Sequence, residues 1–225
     1  MHHEEYRKLA IITGASTAIG FELARIFAKN NYDLVVVSNS DKLSDKAKIL
    51  RQYEVDVTEV KTDLAIAWGV EKLYQKINHL ARPIDVAVLV AGEGIGGEFV
   101  ETSWEKELNM INLNVVNQVY LAKIVLKDMV KFNEGRILFT SSLADGMGPY
   151  HAVHTATKAF IQTFVEAIHY EMDDTDKNIT ITTLRPGEDA QQGFDALMSG
   201  KDQFMSESLG AAAQPKNVRP KDLDR

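Results

Sequence analysis

No cysteine occurs among the 225 residues. Disulfides and thiolate chemistry are excluded, and a zinc site would need other ligands. Positive charge is also short. Lys and Arg number 25 against 32 Asp and Glu, for a net charge of -7. Bulk attraction to nucleic acid or to an anionic membrane surface is therefore not expected. Long apolar runs are missing too. "VAVLVAG" (86–92) falls far short of the roughly 20 residues that a membrane-spanning helix needs. The opening "MHHEEYRKL" is too charged for a signal peptide. These absences fit a cytoplasmic protein. What remains is an ordinary globular composition, 45% hydrophobic and 25% charged, long enough for one well-buried domain. No repeat, linker or low-complexity stretch divides it. One domain over 1–225 is expected, with loose ends at 1–8 and about 208–225.

Short β-rich runs alternate with longer amphipathic stretches. Strands are expected at 9–13, 33–38, 55–63, 84–92, 135–142 and 179–187. Helices are expected at 17–31, 41–53, 67–81, 103–132, 150–173 and 190–200, and "DQFMS" could add a short last strand. In the first helix Ile19, Leu23, Ile26 and Phe27 fall at helical spacing. Strict alternation of strand and helix implies a parallel sheet covered on both faces. With right-handed crossovers this is an α/β fold, a Rossmann-like doubly wound sheet in three layers, α/β/α. Ligands of such sheets bind beyond the carboxyl ends of the strands.

"IITGASTAIGFELA" sets Gly14 directly after the first strand and Gly20 at the start of a helix. A tight turn there aims backbone N–H groups and a helix N-terminus at a pyrophosphate. Ser16 and Thr17 can add hydroxyl donors. The plainer alternative is a βα loop without a ligand. A second feature lies at "PYHAVHTATKAF" (149–160), where His154 and Lys158, four apart, share one helix face. His151 and His154 have i, i+3 spacing as well, but no third metal ligand is evident. The glycine cluster "GEGIGG" (92–97) reads as a loop.

These segments, taken in order, resemble the short-chain dehydrogenases/reductases. "TGASTAIG" resembles their TGxxxGxG loop, "TDL" (62–64) their adenine-side Asp-Leu, and "VAG" (90–92) stands where their NAG lies. "INLNV" (111–115) resembles their asparagine-bearing helix, "ILFTSS" (137–142) their serine strand, and "RPG" (185–187) their Pro-Gly turn. His154 and Lys158 stand where the family has YxxxK, and "QGFDALMSGKD" (192–202) is similar to a bacterial DltE-like subgroup. The resemblance implies hydride transfer between NAD(P) and a carbonyl or alcohol. It implies catalytic roles for Asn112, Ser142, His154 and Lys158, with Ser141 an alternative to Ser142. It implies cofactor contacts from Gly14, Ser16, Thr17, Ala18, Ile19, Gly20, Ser38, Asn39, Asp63, Leu64, Val90, Ala91, Gly92, Lys158, Pro186 and Gly187. It also implies a small-molecule substrate and a homodimer or homotetramer.

The chain departs from that family in four ways. His154 replaces the proton-donating tyrosine, and Tyr150 is two helical turns from Lys158. An imidazolium has a pKa near 6.5 against about 10 for a phenol, and a neighbouring lysine pushes it further toward neutrality. Ala18 replaces the middle glycine of the phosphate loop, and Val90 replaces an asparagine that braces strand and cofactor. Almost no chain separates Gly187 from the next helix, where a substrate lid is usual. The second strand ends in "SNS" with no acid to hold a ribose 2′-hydroxyl, which tilts the cofactor toward NADP, with NAD the alternative. Two classes stay open. One is an NAD(P)-dependent oxidoreductase. The other is an impaired relative, its cofactor binding weakened or absent, that serves as a nucleotide-binding or protein-interaction scaffold.

Overall fold

The computed structural model describes residues 7–140, 150–184 and 190–199. Six strands form one sheet: β1 Leu9–Thr13, β2 Asp33–Ser38, β3 Val57–Lys61, β4 Val86–Leu89, β5 Glu134–Thr140 and β6 Asn178–Leu184. Their order is β3-β2-β1-β4-β5-β6, and every pairing is parallel. The helices are α1 Ala18–Lys29, α2 Leu43–Leu50, α3 Ala67–His79, α4 Trp104–Ile111, α5 Asn117–Phe132, α6 Ala152–Asp173 and α7 Ala190–Ser199.

Burial on both faces explains the strand sequences. "LAIIT" and "DLVVVS" are buried at every position, so the polar-out alternation of a half-exposed strand is absent. Successive side chains still point to opposite faces. Ala10, Ile12, Leu34, Val36, Val86 and Val88 join one apolar layer with Leu23 and Phe27 of α1. Leu9, Ile11, Val35, Val37, Ala87 and Leu89 join the other, with α3, α5 and α6. In the first layer Phe27 meets Tyr32 and Phe194 edge-on, at centroid distances of 5.2 and 5.0 Å. These are the three layers that the alternating pattern calls for.

Two elements differ from the sequence expectation. Strand β4 ends at Leu89, not at 92. The N–H groups of Val90 and Ala91 turn away from the ladder and donate to Thr13 Oγ1, at 3.0 and 3.1 Å. The long helix expected over 103–132 is interrupted by a π-helical turn, Asn112–Val116. That turn holds the fully buried Asn114, whose amide is given to the loop after β4. Such π-turns collect at functional positions. The strand order reverses between β1 and β4, which opens a crevice at their carboxyl ends. Every site described below lies at that end.

Candidate active site

The crevice begins with the turn after β1. Gly14 has φ +66°, a conformation that L side chains rarely adopt. A Cβ on it would stand 3.1 Å from the Ala91 backbone, so the loop after β4 lies directly against this turn. A Cβ on Gly20 would fall 2.2 Å from the Gly14 carbonyl oxygen. Helix α1 can start this close to β1 only with glycine at that place. Thr17 caps the helix. Its Oγ1 accepts from Gly20 N at 3.2 Å and donates to the Gly14 oxygen at 2.8 Å. The first turn of α1 contains no acid, so the N–H groups left over at the helix start face no built-in anion. Ala18 is exposed, with its methyl on the open side of the loop, and Ile19 is partly buried.

Next to this loop, Ser16 Oγ and Ser38 Oγ lie 2.7 Å apart, which ties the turn to the end of β2. Ser38 Oγ also accepts from Ser40 N at 3.1 Å, and Asn39 is exposed. Asp63 Oδ1 accepts from Ala65 N at 2.9 Å, and Leu64 is buried beside it. Val90 packs into the apolar layer. The brace that an asparagine would give there is supplied instead by Thr13, whose Oγ1 accepts from Val90 and Ala91 and donates to Val88 O at 3.3 Å.

Beyond Gly92 the groups suited to proton chemistry converge. A Cβ on Gly92 would sit 3.1 Å from Asn114 Oδ1 and 3.5 Å from Lys158 Nζ. Asn114 Oδ1 accepts from Glu93 N at 3.0 Å, and its Nδ2 donates to Glu93 O at 2.8 Å and to Thr157 Oγ1 at 3.1 Å. Thr157 in turn donates to His154 O at 2.7 Å. Asn112 does not take this place. It is only partly buried, and residues two apart on a helix do not face the same side. The asparagine beside Lys158 is thus Asn114, not Asn112. A signal for this existed: Asn114, Gln118, Leu121 and Val125 form one buried stripe at spacings of four, three and four.

His154 is partly buried, one turn before Lys158 on α6. Burial, then the Lys158 cation and then His151 hold its pKa below the ordinary 6.5. At neutral pH it is therefore a neutral imidazole. Burial also lowers the pKa of Lys158. A Cβ on Gly94 would stand 3.3 Å from both Cε1 and Nε2 of His154, so the loop after β4 lies directly on the imidazole. Sequence reading passed over Thr13, Glu93, Gly94 and Asn114 as site residues. Tyr150 is 57% exposed and precedes α6. Ser141, Ser142, Pro186 and Gly187, and the lid question after Gly187, lie outside the described residues. So do most of the termini expected to be loose, and "DQFMS". Among the described residues no three His, Asp or Glu side chains are grouped to hold a metal ion, and no helix is long and apolar enough to cross a membrane.

The site can be compared with known proteins. The family model for short chain dehydrogenase matches residues 8–193. The chain is 27% identical over 213 residues to the ketoacyl reductase HetN of Nostoc sp., covering 94% of this chain and 72% of that protein. It is 28% identical over 178 residues to the very-long-chain 3-oxoacyl-CoA reductase of Mycosarcoma maydis, and there it spans 51% of the relative's length. Among solved structures, the alcohol dehydrogenase from the archaeon Thermococcus sibiricus complexed with 5-hydroxy-NADP superposes with a TM-score of 0.72 at 30% identity. That superposition covers 80% of this chain and 76% of the other. A family match that runs from β1 into α7, on a parallel sheet with the glycine turn at its switch point, means that the chain belongs to the short-chain dehydrogenase/reductase family of oxidoreductases.

Proposed function

We propose that this protein is an NADP-dependent oxidoreductase that moves hydride between a nicotinamide and a small carbonyl or alcohol. The observation that carries the reading is the meeting of Lys158, Asn114 and His154 around the loop after β4, beside a glycine turn with no room for side chains. The close approaches at Gly14, Gly20 and Gly92 fit a cofactor lying across the crevice. A bound nicotinamide would supply or take the hydride. Gly14, Ser16, Thr17 and Gly20 hold the pyrophosphate end, Ser38 and Asn39 the ribose beside it, and Asp63 and Leu64 the adenine. Ala91, Gly92 and Lys158 hold the nicotinamide end. His154 gives a proton to the carbonyl oxygen or takes one from the alcohol. Ser142 orients that oxygen, and Asn114 fixes the loop after β4 beside Lys158 and His154. The lack of an acid at the end of β2 and the NADP-type ligand of the Thermococcus sibiricus relative favour NADP over NAD.

A second reading has one specific observation in its favour. His154 is held neutral, so it is a weak acid where the family has a phenol. On that reading the chain binds the nucleotide and catalyses poorly or not at all. Titration with NADPH and with NADH, followed by turnover on a panel of ketones and alcohols, separates the two. Binding of NADPH with measurable turnover is expected. Binding without turnover favours the second reading, and no binding of either nucleotide rejects both. The same reading includes a homodimer or homotetramer, formed through the outer faces of α4, α5 and α6.

A further inference from the structure

The glycine-rich segment "GEGIGG" runs along α6 as a strap. Its glycines at 92, 94 and 96 each lie over one basic side chain, namely Lys158 and His154 of that helix and His151 at its N-cap. Two residues of extended chain and one helical turn are of similar length, so the two rows stay in step. A Cβ on Gly96 would come within 2.5 Å of His151 Cε1, closer than the 3.3 Å approach of Gly94 to His154. Gly97 N donates to Tyr150 O at 2.8 Å, which fastens the far end of the strap just before α6. Asn114 fastens the near end through both backbone groups of Glu93. The His151 and His154 rings stand edge to face, 6.4 Å between centroids. His151 is exposed and His154 is partly buried.

We infer that His151 is a proton relay between solvent and His154, held in line by the glycine strap. The inference rests on the reading of His154 as the group that exchanges a proton with substrate. In reduction, a bound nicotinamide would supply the hydride for the new C–H bond, and the carbonyl π pair would move to oxygen. That oxygen takes a proton from His154. On this proposal one water carries a proton from His151 to His154, and His151 takes one from solvent. Oxidation runs the same transfers in reverse. Among the described residues, the charged and titratable groups around His154 are Lys158 on α6, His151 at the N-cap of that helix and, from the strap, Glu93, whose Oε1 accepts from Asn109 Nδ2 at 2.8 Å. Only His151 among them combines an imidazole with exposure to water.

The test uses the full chain, wild type and His151→Gln, labelled with ¹⁵N. Exchange of the His154 ring N–H with water is measured by NMR, and turnover is measured alongside. His151→Gln is expected to slow the exchange by about tenfold and to lower kcat by a similar factor at unchanged KM. Free imidazole in the buffer is expected to restore both, a rescue that a merely structural role for His151 would not produce. Unchanged exchange overturns the relay, as does an unchanged kcat. His154→Gln is run in parallel. If that variant keeps full turnover, the reading of His154 as proton donor fails by itself, whatever the exchange rates show. If the wild type shows no turnover, the exchange measurement alone decides the relay.

Discussion

At the scale of single residues, the proposed role of His154 as proton donor fixes the expected pH behaviour. Its folded pKa lies below 6.5, so the imidazolium that donates a proton is scarce at neutral pH and gains population as pH falls. Carbonyl reduction is therefore expected to rise as pH drops from about 8 to about 5.5, and alcohol oxidation to fall over the same interval. A kcat/KM profile in each direction checks this. A reduction rate that does not change over that range would show that His154 is not the donor. The missing phenol gives a second expectation. His154→Tyr places a group with pKa near 10 beside Lys158, with Asn114 and the strap still in place. At neutral pH, carbonyl reduction should rise at least about tenfold, or about 1.4 kcal/mol in the barrier. If Ala18 already weakens the phosphate loop, the gain will come only with Ala18→Gly added. No gain in either variant, together with no NADPH binding, would mean that the site no longer reduces anything.

At the scale of elements, the cap of α1 and the strap can be tested separately. Thr17→Ala removes the cap bond to Gly20 N and should cost about 1 kcal/mol of stability, read as a drop in Tm. NADPH affinity should fall with it if, as proposed, the same turn holds the pyrophosphate. Loss of stability without loss of affinity would place the phosphate elsewhere. The sheet and most helices could be read from the sequence because burial leaves a period. β1 and β2 are unbroken apolar runs, and α1 has its stripe of Leu23, Ile26 and Phe27. The strap could not be read that way. Three of its first five residues are glycine, so no side chain records which way it faces, and its contacts with His151, His154 and Lys158 lie more than fifty residues ahead in the chain. The Asn112–Val116 turn was hidden for another reason. "INLNVVNQ" offers three asparagines, and family position picks one only if the register of the helix is known. Counting back from Leu121 and Val125 fixes that register at Asn114.

At the scale of the whole molecule, helices α4, α5 and α6 carry several exposed large apolar side chains. Trp104 on α4 is 63% exposed, Tyr120 on α5 37%, and Phe160 and Tyr170 on α6 48% and 54%. Leu108 on α4 and Val116 in the turn before α5 are exposed as well, and α4 packs against α6. Isolated exposed apolar residues are ordinary, but a run of them along neighbouring helices marks an interaction surface. A stable two-fold pairing buries about 1,200–2,000 Å² in total, which neighbouring helices of 16 and 22 residues are long enough to supply. The expected result is a dimer or tetramer by light scattering at micromolar protein. Phe160→Glu sets a charge on the exposed face of α6 and should shift that mass to the monomer while the far-UV spectrum stays native. A monomeric wild type at the same concentration would reject the assembly. Because α6 carries His154 and Lys158 on its cleft face, splitting the dimer should also slow turnover if the pairing steadies that helix. A monomeric Phe160→Glu variant with full kcat would instead show that one protomer holds a complete and self-supporting site.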